Sequence, residues 1–185
     1  MTASAGYFGA RAVYHPSGTI RTESFFPTVS TMAAIYKGDL VKFSGADTVV
    51  IVSAAGDSSI GVFDGCKYND ATGKPVYSPY WPGSTAGATN IEFYVITDIS
   101  TVYEYQASVA VAATAIGDGF DITYVAGSTA TGQSGSYAAA LTGAAACNFR
   151  IIGLGGGVDN AWGDAKTIVR VQLGESQRFS LPNAI

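Results

Sequence analysis

The residues that could carry acid–base chemistry are the carboxylates, and a glycosidase needs only two of them beside the scissile bond. Glu92 and Glu104 are the candidates, because both fall in predicted strands and could share one face of a sheet. The alternative, which the pattern favours, is that each occupies an exposed strand position. Most aspartates stand beside Gly, Asn or Ala, where an Asp side chain caps a turn. They are Asp39, Asp47, Asp57, Asp70, Asp118 and Asp159.

Histidine and cysteine are too few and too scattered to predict a nucleophile or a metal site. The single histidine, His15, precedes Pro16 and is predicted as a turn residue. One histidine and two distant cysteines, Cys66 and Cys147, do not make a zinc site of the ordinary type. Neither cysteine has neighbours that would activate a thiolate, and Cys66 is expected to be a small buried hydrophobe. Two free, buried cysteines are favoured, and a long-range disulfide stays open.

Two glycine-rich stretches resemble nucleotide-binding motifs without matching them. GLGGGV (153–158) has Val158 where the dinucleotide fingerprint requires its last glycine, and no helix follows. TGKP (72–75) lacks the Ser or Thr that ends a phosphate loop and is predicted as a turn between strands. We therefore expect no catalytic residue, no metal ligand and no cofactor, and the chain is not predicted to be an enzyme.

A cluster of aromatic residues is the remaining feature with possible binding chemistry. Tyr77, Tyr80 and Trp81 lie in YSPYWPG and could stack on a sugar ring. The alternative is that these rings anchor a Pro-rich loop to the domain or to a protein partner, because aromatic residues are enriched in interface cores. The sequence favours anchoring, with Tyr80 and Trp81 exposed on a stiff loop.

The composition excludes several classes of partner. Only 13% of the residues are charged, against about 25% in ordinary soluble domains. The net charge is −4, and the ten Lys and Arg residues stand singly, so no basic stripe predicts nucleic-acid binding. No apolar run approaches the roughly 20 residues of a membrane span. Either a partner covers part of the surface, or the surface is a solvated β surface rich in Ser and Thr.

The elements that must position these residues are short strands. They are rich in Val, Ile, Tyr, Phe and Thr, and are bounded by Gly, Asp, Asn or Pro. The predicted strands are 18–26, 39–44, 48–53, 60–66, 90–98, 101–107, 120–125, 148–154 and 166–173, with a return strand after the turn at 72–75. Strand 166–173 alternates cleanly, whereas 90–98 alternates less and is predicted to be buried on both faces. The Ala-rich stretches 109–118 and 136–146 are predicted to hold single helical turns at most. The fold class is all-β: a single β-barrel or sandwich-like domain with short helical turns and an N-terminal arm.

The succession of segments along the chain resembles the head decoration (capsid cement) proteins of tailed bacteriophages. It is most similar to those of short-tailed phages of aquatic bacteria, and the resemblance runs from about residue 8 to residue 173. The segments, in order, are KGDLVKF (37–43), TVVIVSAAGD (48–57), IGVFDGCKY (60–68), YSPYWPG, YVITDISTVYEYQA (94–107), IGDGFDI (116–122), GQSGSYAAAL (132–141), FRIIGL (149–154) and VDNAWGDAKTIVRVQL (158–173).

The resemblance implies a structural virion protein without catalytic residues. Such proteins are made in the host cytoplasm and sit on the outer face of an icosahedral capsid, where they bridge major capsid proteins, commonly as homotrimers. We expect an N-terminal arm at residues 1–17, ordered against the capsid or a sister subunit, and a β-rich decoration domain at residues 18–185. The candidate contact residues are Phe8, Arg11, Tyr14, Tyr80 and Trp81. The alternatives are a carbohydrate- or receptor-binding β module and, third, a glycan hydrolase.

Overall fold

The structure is a computed structural model of the 185-residue chain and describes residues 6–27, 32–44, 48–54, 56–83, 87–142 and 147–178. Within these ranges the chain forms strands and one 3₁₀ turn, Ala113–Ala115. The strands in chain order are β1 (Arg11–Tyr14), β2 (Glu23–Phe25), β3 (Ile35–Tyr36), β4 (Leu40–Phe43), β5 (Val49–Ile51), β6 (Gly61–Asn69), β7 (Pro75–Ser78), β8 (Tyr80–Trp81), β9 (Thr89–Ile96), β10 (Val102–Gln106), β11 (Gly119–Thr123), β12 (Tyr137–Thr142), β13 (Phe149–Leu154) and β14 (Ile168–Leu173).

The first sheet has the antiparallel order β1-β10-β14-β13-β11-β12. On β14 the small apolar residues Val169 and Val171 are fully buried while Arg170 between them is exposed, as the alternation predicts. These residues pack with a cluster of aromatic rings whose centroids lie 5.2 to 6.0 Å apart. The sheet curls back on itself, because Ala107 after β10 forms a bridge with Ala138 of β12. The first hydrophobic core lies inside this curl and also includes Leu40, Val62 and Ile96 of the second sheet.

The second sheet has the order β2-β9-β6-β4-β5, with β7 paired to β6. Its separate core is built around Phe63 and Phe93, whose rings meet edge-on at 5.3 Å. This sheet also curls, because the ring of Phe25 on the edge strand β2 contacts the ring of Phe43 on β4 at 5.6 Å. The two antiparallel sheets, with the short pair β3–β8, confirm the prediction of an all-β, sandwich-like fold.

Most of the predicted strands are present, and the exceptions have physical reasons. Strand 18–26 is reduced to β2, and 136–146 contains β12 instead of a helical turn, since residues 137–142 pair with β11. The single turn expected within 109–118 is confirmed at Ala113–Ala115. β9 is not buried on both faces: Phe93 and Val95 are fully buried, whereas its other face remains partly exposed.

The N-terminal arm is partly a strand of the domain itself. Residues 11–14 form β1, which pairs with β10 of the same chain, and Ala10 is buried in the first core. This corrects the expectation that residues 1–17 form an arm separate from the β domain, because backbone hydrogen bonds hold 11–14 in the first sheet. Residues 1–5 lie outside the described residues.

Candidate interaction surface

The strongest candidate surface lies along β1, which is an edge strand of the first sheet. The register with β10 shifts between Ala12 and Tyr14, which interrupts the alternation of side chains. As a result two consecutive apolar side chains are exposed, Val13 at 38% and Tyr14 at 58%. An edge strand that exposes apolar side chains is a surface that a protein partner can cover. Tyr14, predicted as a contact residue, is therefore accessible.

Arg11, also a predicted contact residue, is engaged within the chain. Its guanidinium forms an ion pair with the carboxylate of Glu104 and lies 5.1 Å from the ring centre of Phe8. The other carboxylate oxygen of Glu104 accepts a hydrogen bond of 2.8 Å from the amide of Gly156. Burial raises the pKa of Glu104, but the bonds from Arg11 and Gly156 outweigh burial and hold this pKa below its usual value. Side-chain bonds thus add to the backbone pairing that fixes β1.

A groove of about 310 Å³ opens beside β1, and we call it the β1 groove. Its lining includes Phe8 and Arg11, together with apolar residues of β6 and β9 from the second sheet. Lys37 and Asp64 also line the groove and form an ion pair of 2.8 Å. The groove thus joins surfaces of both sheets and brings together two of the five predicted contact residues, Phe8 and Arg11.

Trp81 is fully buried, so the prediction of an exposed contact residue is wrong for this position. Its ring meets Tyr68 edge-on at 5.2 Å and lies 5.7 Å from Phe93. The reason is the pairing of β8 with β3, which holds the Pro-rich stretch against the second core. Tyr80 stacks on Tyr36 with 5.6 Å between the ring centres and remains half-exposed. Tyr80 can therefore touch a partner, whereas Trp81 cannot without unfolding.

The three rings considered as a sugar platform do not face one surface. Tyr77 is 71% exposed, and the ammonium of Lys67 lies 5.7 Å from its ring centre. Trp81 is inside the second core, and one face of Tyr80 is occupied by another tyrosine. No specific geometry therefore favours the carbohydrate alternative through these residues.

The two glutamates considered as a catalytic pair belong to different sheets. Glu92 lies on β9 of the second sheet and accepts a hydrogen bond of 2.8 Å from the hydroxyl of Ser24. Glu104 lies on β10 of the first sheet and is 5% exposed. The idea that they share a sheet face is wrong, and so is the exposed position expected for Glu104. A two-carboxylate mechanism has no support from this arrangement.

His15 sits at the turn where it was predicted, between a serine and an aspartate. Nδ1 lies 2.7 Å from Ser17 Oγ, and Nε2 lies 3.0 Å from Asp98 Oδ2. The order Ser–His–Asp is that of hydrolase triads. However, Nδ1 also accepts a hydrogen bond from the Ser17 amide, and the Ser17 hydroxyl donates one to the carbonyl of Thr19. These side chains do not line the β1 groove. We interpret the three side chains as a cap that closes the turn after β1.

The cysteines are free and buried, as predicted. Burial raises the pKa of the Cys66 thiol to about 12 and also raises the pKa of Cys147, so both stay protonated near neutral pH. In the described part of the chain, no group of three or more His, Cys, Asp or Glu side chains could hold a metal ion. The same residues contain no helix with the length and hydrophobicity needed to cross a bilayer.

Comparison with known proteins identifies no relative. No protein-family model, curated protein or solved structure matches the chain.

Sequence reasoning missed the roles of two charged residues that shape this region. Glu104 anchors Arg11 across 93 positions of the chain, and the short strand β1 gave no periodic signal that would have placed them together. Asp39 was predicted as a turn residue, and nothing in the sequence signalled that its side chain is completely buried. Both positions depend on contacts between distant segments.

Proposed function

We propose that the protein is a structural virion protein that binds the outer surface of a tailed-phage capsid. It would bridge neighbouring major capsid proteins, as a homotrimer, and so stabilise the shell. The succession of sequence segments supports this proposal through its resemblance to capsid decoration proteins. The function requires no catalytic group and no cofactor, and its partner is a protein surface instead of nucleic acid or a membrane.

The observation that carries the proposal is the exposed edge strand β1. Val13 and Tyr14 present apolar surface on this strand, and Arg11 and Ala12 of the same strand line the β1 groove with its ion pair Lys37–Asp64. An apolar centre with a polar rim is the usual composition of a protein–protein contact. The low proportion of charged residues, 13%, is consistent with a surface that is partly covered in the working state.

Stabilisation of the shell follows from binding. A protein that binds the assembled capsid and not its separated subunits shifts the equilibrium toward the assembled state by mass action. Three copies in one trimer engage several capsid sites together, so weak individual contacts give strong overall binding. The mechanism therefore predicts a protein that adds to shell stability in proportion to its occupancy.

Co-sedimentation with purified, expanded capsids tests the proposal. The wild-type protein should bind at near-stoichiometric levels, and Tyr14→Ser should weaken binding about 30-fold, the effect of losing roughly 2 kcal/mol at an interface centre. Tyr77→Ser is the matched control, because Tyr77 is an exposed tyrosine on the second sheet. Its binding to shells should equal that of the wild type.

Absence of shell binding by the wild-type protein would overturn the proposed function. If the wild-type protein binds shells but the Tyr14 and Tyr77 variants lose affinity equally, the capsid function stands and β1 is rejected as the contact surface. Binding to a glycan array that is lost in Tyr77→Ser, together with no binding to shells, would support the carbohydrate alternative instead.

A further inference from the structure

The turn between β3 and β4 connects three other parts of the molecule, and we call it the β3–β4 turn (residues 36–39). The amide of Ala10 donates a hydrogen bond of 2.9 Å to the carbonyl of Gly38 within the turn. The amide of Gly38 donates to Phe63 on β6 at 2.8 Å, and the amide of Ser134 donates to the turn at 2.9 Å. The turn therefore joins the residues before β1, the second sheet and the loop before β12.

Asp39 is the last residue of this turn, and its carboxyl group is completely buried. Oδ2 accepts a hydrogen bond of 2.8 Å from the amide of Tyr36. The hydroxyls of Ser134 and Ser136 also lie against the carboxyl group and favour its charged form. Among the described residues, Oδ1 has no hydrogen-bond partner. One oxygen of a buried acid is thus left without a donor.

No cation balances this carboxyl group among the described residues. The ammonium of Lys37, in the same turn, is bonded to Asp64 of β6 at 2.8 Å, and Asp39 takes part in none of the ion pairs of the described ranges. The other titratable groups that interact with Asp39 are the phenols of Tyr105 on β10 and Tyr124 after β11. Burial raises the pKa of Tyr105 and Tyr124, so these two phenols are neutral near pH 7.

A buried carboxylate without a cation is costly, and protonation removes that cost. Desolvation raises the pKa of Asp39 to about 6, against the smaller opposing effect of its hydrogen bonds. A proton can bind to Oδ1 without disturbing the hydrogen bond that Oδ2 accepts from the Tyr36 amide. The geometry and the electrostatics of the site therefore both favour the protonated, neutral form of Asp39.

We propose that Asp39 is a proton-binding site built into the junction of the two sheets: in mildly acidic solution it takes a proton from solvent and the β3–β4 turn becomes more stable. This device is independent of the proposed capsid function. Because Lys37 and Gly38 of the turn line the β1 groove, the proton also stabilises one wall of that groove.

The direction of the pH effect follows from the two states of the chain. Asp39 has a pKa of about 6 in the folded protein and an ordinary value of 3.8 when exposed. The stabilising effect is fully present below about pH 4 and is lost as the pH rises through 6, because unfolding then releases the proton. Over this window the unfolding equilibrium constant should increase about 100-fold from this residue alone.

Two measurements on the whole chain test the proposal. The side-chain carboxyl carbon of Asp39, followed by ¹³C NMR, should titrate near pH 6 in the folded wild-type protein. Urea unfolding at pH 4.5 and pH 7.5 should show that the stability of Asp39→Asn relative to the wild type is clearly higher at pH 7.5 than at pH 4.5. Asp64→Asn is the control, because Asp64 carries a partly exposed carboxyl group in the same region with a lysine partner.

Titration of Asp39 near pH 4 would overturn the proposal, whether or not the Asn variant folds. An Asp39→Asn variant with the same pH dependence as the wild type would overturn it too. A change of equal size in Asp64→Asn would assign the effect to the general charge of the region instead of to the buried acid.

Discussion

Truncation of Trp81 tests whether this residue belongs to the core or to a contact surface. The sequence predicts an exposed contact residue, whereas the structure shows a buried one. The side chain is fully buried and packs against the rings of Tyr68 and Phe93. Trp81→Ala would leave a large cavity in the second core, and such changes cost about 3–5 kcal/mol. Because the whole fold of a domain is stable by only about 5–15 kcal/mol, this one change should remove about a fifth of the stability or more.

The assay is urea unfolding followed by circular dichroism, with the remaining tryptophan, Trp162, as a fluorescent probe. For a loss of about 4 kcal/mol and a urea dependence of about 2 kcal/mol per molar, the midpoint should fall by about 2 M. Trp81→Phe should lose much less, because it keeps an aromatic ring and removes an indole N–H that finds no hydrogen-bond partner in the described part of the chain.

Tyr14→Ser is the comparison at an exposed position. Tyr14 is 58% exposed, so its replacement should change the stability by less than about 0.5 kcal/mol. An unchanged midpoint in Trp81→Ala would refute the placement of this side chain in the core and would restore Trp81 as a candidate contact. A large loss in Tyr14→Ser would mean that β1 contributes to folding more than to recognition.

Two further predictions concern groups whose ionisation the fold alters. Glu104→Gln should cost about 1.5–3 kcal/mol at pH 7, the range for a hydrogen bond to a charged group, because Arg11 then loses the negative charge of its partner. Folding lowers the pKa of Glu104, so its contribution to stability is present above the ordinary value of 4.5 and is lost as the pH falls. Urea unfolding of the wild type and the variant should therefore show a smaller difference in stability at pH 3 than at pH 7. Cys66, with its pKa raised to about 12, should not react with a thiol reagent at pH 8 in the folded protein and should react in urea. Rapid labelling of Cys66 without unfolding would contradict its burial.

The parts of the fold that the sequence predicts are those governed by local pattern. β14 alternates Val169 and Val171 with exposed Arg170, and the structure has the same alternation. The turn at 72–75 carries Gly73 with a φ of 84°, a conformation that glycine adopts without strain. Patterns of this kind depend on neighbours in the chain, so one sequence is enough to identify them.

The parts that sequence does not predict depend on distant contacts. Trp81 lies in a Pro-flanked stretch typical of a surface loop, and only its pairing with Ile35, far along the chain, places it in the core. β1 is short and follows glycine-containing sequence, so nothing local indicates that Arg11 reaches Glu104. The division into two sheets also places Glu92 and Glu104 on different sheets, although both lie in correctly predicted strands.

The measurement that tests the central claim most directly is a density map of expanded capsids incubated with the purified protein. We predict density on the outer face of the shell, with copies related as trimers over junctions between major capsid proteins, and with Val13 and Tyr14 of β1 buried against the capsid. A bare shell at saturating protein concentration would contradict the proposed function. Bound protein with β1 facing solvent would contradict the surface that we assign to it.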